Sequence, residues 1–150
     1  MNLFTRGMLA VVLAAMTCVA ASADEVKVEI PKTKNITMTI TAESIEKVSD
    51  SDGKAAFAVI HMPVLKFSSP LILDRAEYKR TRFFATSENG NVLCNVFGFG
   101  AYVEKSSNDF APNNYNCEVL AGFKGDSREI IFRSCGSNQS YWRRVTCAIP

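Results

Sequence analysis

The chain is poor in the groups that most catalytic and metal-binding sites require. It has one histidine, His61, so any Ser-His-Asp or Cys-His scheme must run through that residue. No G-x-S-x-G nucleophile elbow occurs. There is no C-x-x-C pair, and with a single histidine this argues against a zinc site, so neither a metal nor another cofactor is expected. Charge of one sign is also lacking: 17 basic and 15 acidic residues give a net charge of +2. The nearest thing to a basic face is Arg75, Lys79, Arg80 and Arg82, with Asp74 and Glu77 beside it, which reads as a solvated face and argues against a nucleic-acid partner. No apolar run reaches the ~20 residues that a transmembrane helix needs. Internal repeats and low-complexity tracts are absent as well.

The N-terminus supplies a positive signal. Arg6 precedes an apolar, alanine-rich stretch over residues 8–21, and Ala21-Ser22-Ala23 offers a small-x-small cleavage site before Asp24. This is the pattern of a secretory signal peptide, residues 1–23, with Cys18 in the removed part. Residues 24–150 then form a single small domain, periplasmic or secreted, with no transmembrane span after cleavage. The mature chain keeps Cys94, Cys117, Cys135 and Cys147, an even number in an exported protein, which predicts two disulfides.

Most of the chain has strand periodicity. Val26, Val28 and Ile30 alternate with Lys27 and Glu29; Ile36, Met38 and Ile40 alternate with threonines. Period-two alternation is what a half-buried antiparallel strand needs. Residues 42–48 fit either a helical turn or a strand. Ser49-Asp50-Ser51-Asp52-Gly53 predicts a turn, and its Asp-x-Asp-Gly core lacks the further oxygen ligands of a calcium loop. Residues 55–67 read as a buried strand bent at Pro63. Residues 74–81 are polar and fit a helical turn or a wide loop. Residues 105–116 form a polar loop. Residues 129–133 and 141–148, separated by a polar turn, predict a C-terminal β-hairpin.

One stretch departs from this pattern. In Val92-Leu93-Cys94-Asn95-Val96-Phe97-Gly98 the apolar residues fall at i, i+1, i+4 and i+5, one face of a helix. Ser87 is placed to cap such a helix, and Gly98 to stop it in the left-handed conformation. Asn89-Gly90 is also a hairpin signal, so a strand pair competes with the helix here. The helical face favours one short helix over about residues 88–97. The fold class is therefore α+β and β-rich: antiparallel sheets, that helix, and a C-terminal disulfide-bonded β-hairpin.

The segment Asn91-Val92-Leu93-Cys94-Asn95-Val96-Phe97-Gly98-Phe99-Gly100 resembles the helix of scavenger-receptor cysteine-rich domains, and Arg144-Val145-Thr146-Cys147 resembles their closing strand. That family's W-G-x-V-C segment and further cysteines are missing, so the resemblance is to a device: a helix fastened by sulfur to the last strand. It implies a Cys94–Cys147 bond, and by remainder Cys117–Cys135.

The candidate ligand contacts are Tyr141, Trp142, Arg143 and Arg144, together with Phe110 and Tyr115 of the polar loop. Adjacent aromatic and arginine groups stack on sugars or peptides and are enriched at binding hot spots. Strict alternation would set Tyr141, Arg143 and Val145 on one face and Trp142, Arg144 and Thr146 on the other; the competing reading places Trp142 in the core. His61 lies in an apolar run, which fits a core or sheet-surface role. No catalytic residue is assigned. The function expected is non-enzymatic binding of a protein or cell-envelope component. The alternatives are a carbohydrate-binding module on Tyr141 and Trp142, and a small hydrolase using His61 or a pair of acids.

Overall fold

The computed structural model describes residues 26–30, 32, 35–49, 52–53, 55–103, 107–113, 117–134 and 139–149. The predicted signal peptide, Tyr115 and Cys135 lie outside the described residues.

Among the described residues the chain is strand-rich with one α-helix. The centre is a long bent ribbon. Strands β2 (Met38–Thr41) and β3 (Ser44–Ser49) run antiparallel to β5 (Val64–Leu73) and β4 (Ala55–His61), respectively. The bend falls at Met62-Pro63. Met62 takes a positive φ of 48° and donates its N–H to the Arg143 carbonyl at 2.7 Å, while Glu43, between β2 and β3, donates its N–H to the His61 carbonyl at 2.8 Å. Proline has no N–H to give a ladder, so a buried Pro63 at the corner leaves no donor orphaned.

Each arm of the ribbon recruits further strands. On β5, the edge away from β2 pairs with β6 (Ala76–Arg82), and β1 (Val28–Glu29) extends the β2 side. Residues 74–81 are thus a turn and a strand, not a wide loop. Asp74 and Arg75 have φ of 53° and 72°, the two positive values of a tight hairpin turn, and this closes β5 onto β6. On β4, the edge away from β3 pairs with β11 (Arg144–Ala148), giving the order β11-β4-β3. Of residues 42–48, Ala42 and Glu43 link β2 to β3 and residues 44–48 are strand.

The helix is α1 (Ser87–Val96). Its cap is Thr86 and not Ser87: the Thr86 hydroxyl accepts from the Asn89 N–H at 3.1 Å. Its end is a Schellman motif. Phe99 N–H bonds the Cys94 carbonyl at 2.9 Å, Gly98 N–H bonds the Asn95 carbonyl at 3.0 Å, and Gly98 sits at φ 87°. Gly90, which weakens the helix in isolation, is required by packing: a Cβ there would lie 3.0 Å from the Tyr102 ring. Helix α1 packs Val92, Leu93 and Cys94 onto β11, and the Cys94–Cys147 disulfide joins the two.

The remaining strands are β7 (Phe110–Pro112), β8 (Leu120–Phe123), β9 (Ile130–Arg133) and β10 (Ser140–Trp142). The hairpin of the C-terminal half is β8–β9, one strand earlier than the pattern of residues 129–148 implies. A bend at Arg143 divides the last segment, so β10 goes to β7 and β11 goes to β4. Cys117 is also disulfide-bonded; the expected Cys117–Cys135 pairing involves Cys135, outside the described residues. The core, with Ile60, Leu65, Leu71, Phe83, Leu93, Trp142 and Val145 fully or nearly fully buried, lies between the two arms and the helix.

Candidate functional site

Strand alternation gives the β11-β4-β3 sheet two different faces. Ala58, Ile60, Val145 and Cys147 point into the core. The opposite face carries Phe57, Val59 and His61 from β4. Thr146 on one side and Glu46 on the other stand in register with Val59. Arg144 and Ser44 likewise flank His61, and Ala148 and Val48 flank Phe57. This outer face is the floor of a groove of about 430 Å³. A 3-10 turn, Ser107–Asp109, closes one end and sends Asp109 into it.

The groove has an apolar half and a charged half. Val48, Phe57 and Val59 make the first. In the second, a histidine–carboxylate contact and an arginine–carboxylate ion pair stand side by side. His61 Nε2 is 3.0 Å from Glu46 Oε1, and an Arg144 guanidinium nitrogen is 3.3 Å from Asp109 Oδ1. His61 and Arg144 are register partners on neighbouring strands, so the four groups run in the order Glu46, His61, Arg144, Asp109. The pairs differ in kind. The Glu46 side chain is 61% exposed, whereas that of Asp109 is 4% exposed. A buried carboxylate depends on its partners, so the Arg144–Asp109 contact anchors Arg144, while Glu46 sits exposed at the rim. The Asp109 carbonyl also accepts the Arg143 N–H at 2.8 Å, which fixes the turn to the bend before β11.

The residues singled out from sequence are distributed unevenly around this site. Arg144 lies in the groove; Phe110 does not line it, but follows Asp109 in the chain and is 41% exposed. Tyr141 lies elsewhere, half-buried under the Arg82 guanidinium, whose carbon is 4.3 Å from the ring centroid. Arg143 is exposed at the bend. Trp142 is a correction. It is only 2% exposed, with Tyr102 and Phe110 rings against it at 5.2 and 6.2 Å, so it is a core residue and not a surface platform. Unbroken alternation failed here because the bend at Arg143 separates two strands with different partners. His61 takes the sheet-surface role.

Sequence reasoning did not pick out Glu46, Val48, Phe57, Asp109 or Thr146. The signal for the first three was the alternation of β3 and β4, legible once both are known to be strands. Asp109 carried none, because its burial depends on where a polar loop folds back.

Among the described residues, no group of three or more histidine, cysteine, aspartate and glutamate side chains is arranged to hold a metal ion, and no helix is long and apolar enough to cross a membrane. No protein-family model matches the chain, and neither a curated protein nor a solved structure is significantly similar to it. The likeness to scavenger-receptor cysteine-rich domains therefore extends to the helix-to-strand disulfide alone.

Proposed function

We propose that this is a small exported, non-enzymatic binding protein of the periplasm or the extracellular space, and that it engages a protein or envelope component through the outer groove of the β11-β4-β3 sheet. The observation that carries this reading is the groove itself: an apolar floor ending in a histidine–carboxylate hydrogen bond and an arginine–carboxylate ion pair, on the face of a sheet whose other face is buried in the core over β4 and β11. A concave apolar surface with a few convergent polar groups is the usual form of a recognition site. The ionisable groups pair with one another, and His61 bonds a carboxylate rather than a hydroxyl or thiol, which favours recognition over nucleophilic chemistry. The buried Cys94–Cys147 disulfide suits an oxidising compartment. The glycan-binding alternative loses its principal platform with Trp142 inside.

The test is affinity capture from an envelope extract with the wild-type protein and with Val59→Arg, which lays a long cation along the groove floor. Thermal unfolding of both proteins controls for folding. Specific material held by the wild type and lost with Val59→Arg is the expected result. Equal capture by both proteins removes the groove as the docking surface.

A further inference from the structure

The two edges of the β11-β4-β3 sheet are finished differently. The β11 edge is occupied by the segment after helix α1: Gly100 N–H bonds the Ala148 carbonyl, Val103 N–H the Thr146 carbonyl, and Ala148 N–H the Ala101 carbonyl, each at 2.8 Å. The β3 edge has no such cover among the described residues, and all six residues of β3 are exposed. Ile45 at 43% and Val48 at 39% are two of the three large hydrophobic residues that the described structure leaves exposed; the third is Phe110 beside Asp109. The open edge and the groove are contiguous, because Glu46 and Val48 belong both to β3 and to the groove wall, while Ile45, in register with Ile60, lies on the sheet's other face.

We infer that the partner presents an extended segment that adds to β3 as an antiparallel strand and turns alternate side chains into the groove. This rests on the docking role proposed above and names the chemistry of the partner. A free strand edge recognises backbone: its outward N–H and C=O groups bond any extended chain, and side-chain pairs set the preference. Those pairs are specified by Ser44-Ile45-Glu46-Lys47-Val48-Ser49. Opposite charges facing one another across a ladder are favourable and like charges are not. Opposite Val48, Lys47, Glu46 and Ile45, in that order, an incoming antiparallel strand is best matched by apolar, acidic, basic and apolar residues.

The same charges disfavour a second copy of this chain as occupant. A closed two-fold pair of identical antiparallel strands keeps each side chain on its own face, so residues of like parity meet. Registers that overlap most of β3 are then centred on Glu46 or on Lys47 and set Glu46 against Glu46 or Lys47 against Lys47. The strand is built to refuse itself and to accept a chain of the complementary pattern.

The experiment uses the mature protein labelled with nitrogen-15 and capped hexapeptides as probes. Thr-Val-Glu-Lys-Val-Thr has the matched order in the antiparallel sense; Thr-Val-Lys-Glu-Val-Thr has the same composition with the charges exchanged. The matched peptide should shift the amides of residues 44–49 and of the groove, with affinity about tenfold above that of its exchanged counterpart. Strand pairing directs alternate N–H groups toward the neighbour. N-methylation at the glutamate and second valine, or instead at the first valine and lysine, should therefore abolish binding in one peptide and spare it in the other. Equal affinity for the two charge orders, equal effects of the two N-methyl patterns, or no β3 shifts at about 1 mM peptide would each overturn strand addition. The two readings fail separately. Envelope capture that still depends on Val59 while the peptides fail leaves the groove standing without β3. Peptide binding at β3 with capture indifferent to Val59 leaves the edge without the groove.

Discussion

The two edges of one three-stranded sheet show how the same backbone chemistry is handled in opposite ways. At β11 the chain covers its own edge: the helix stops at Gly98, the next residues turn back along β11, and the Cys94–Cys147 disulfide holds the helix against the strand. Cys147 and Val145 are fully buried there. At β3 the edge is left open among the described residues, and it carries two charges, Glu46 and Lys47, between the apolar Ile45 and Val48. An uncovered edge is a template for pairing with another chain, which is the property the proposed strand addition relies on. The lesson is that the bonds holding the sheet's edge are concentrated at β11, whereas the docking proposed above would use β3, and the two should separate under mutation.

The largest effect belongs to the covered edge. Replacing both Cys94 and Cys147 with alanine removes a bridge between positions 53 residues apart. Loss of about 3–4 kcal/mol is expected, read as a fall in the denaturant midpoint of the oxidised protein. A change near zero would mean that helix α1 holds β11 without the sulfur, and the contrast between the edges would lose its main support.

Asn89 comes next. It is 1% exposed, donates to the Phe84 carbonyl at 2.8 Å, and accepts from the Phe123 N–H at 3.0 Å. Asn89→Ala leaves two backbone groups unpaired in the core, and about 2–3 kcal/mol should be lost in chemical unfolding. This variant asks whether α1 is fixed from the β8 side as firmly as from the β11 side. A smaller loss is expected from Asn91→Ala. The Asn91 side-chain oxygen accepts the Tyr102 N–H at 2.9 Å and so ties the covering segment to the helix. That exposed bond contributes about 1 kcal/mol, and faster hydrogen exchange at Val103 and Ala148 should report a loosened cover.

The smallest effect belongs to the open edge. Val48→Lys alters a residue already 39% exposed, and the unfolding midpoint should move by less than about 0.5 kcal/mol. A large destabilisation would show that β3 is part of the stabilising structure and erase the difference between the edges.

Much of this architecture was legible in the residues. The alternation of Met38 and Ile40 with threonines marks a strand whose apolar face is turned inward, and the spacing of Val92, Leu93, Val96 and Phe97 marks the helix. Gly98 marks its end, since the left-handed conformation of a Schellman stop suits glycine. The Cys94–Cys147 bond followed from a likeness in two short segments, not from spacing. The site was far less legible. Arg144 was singled out and lies in the groove; Trp142 was singled out beside it and lies in the core. Nothing local distinguishes them, because a bend at Arg143 changes the partner strand between one and the other.

Local sequence thus determined where strands and the helix form, which of their faces are apolar, and where the helix stops, and its even set of cysteines after residue 23 pointed to cross-linking. These follow from steric limits on φ and ψ, from side-chain periodicity and from the chemistry of cysteine, all of which act within a few residues. Tertiary structure decided which strands pair, that β11 and not β9 completes the sheet with β4, that Trp142 is enclosed, and that Glu46, His61, Arg144 and Asp109 meet across four segments. Periodicity tells a strand which face to bury but not which neighbour to choose. That choice is made by the bends at Met62-Pro63 and Arg143, by the helix laid against β11, and by the shape of the core that the whole chain must fill.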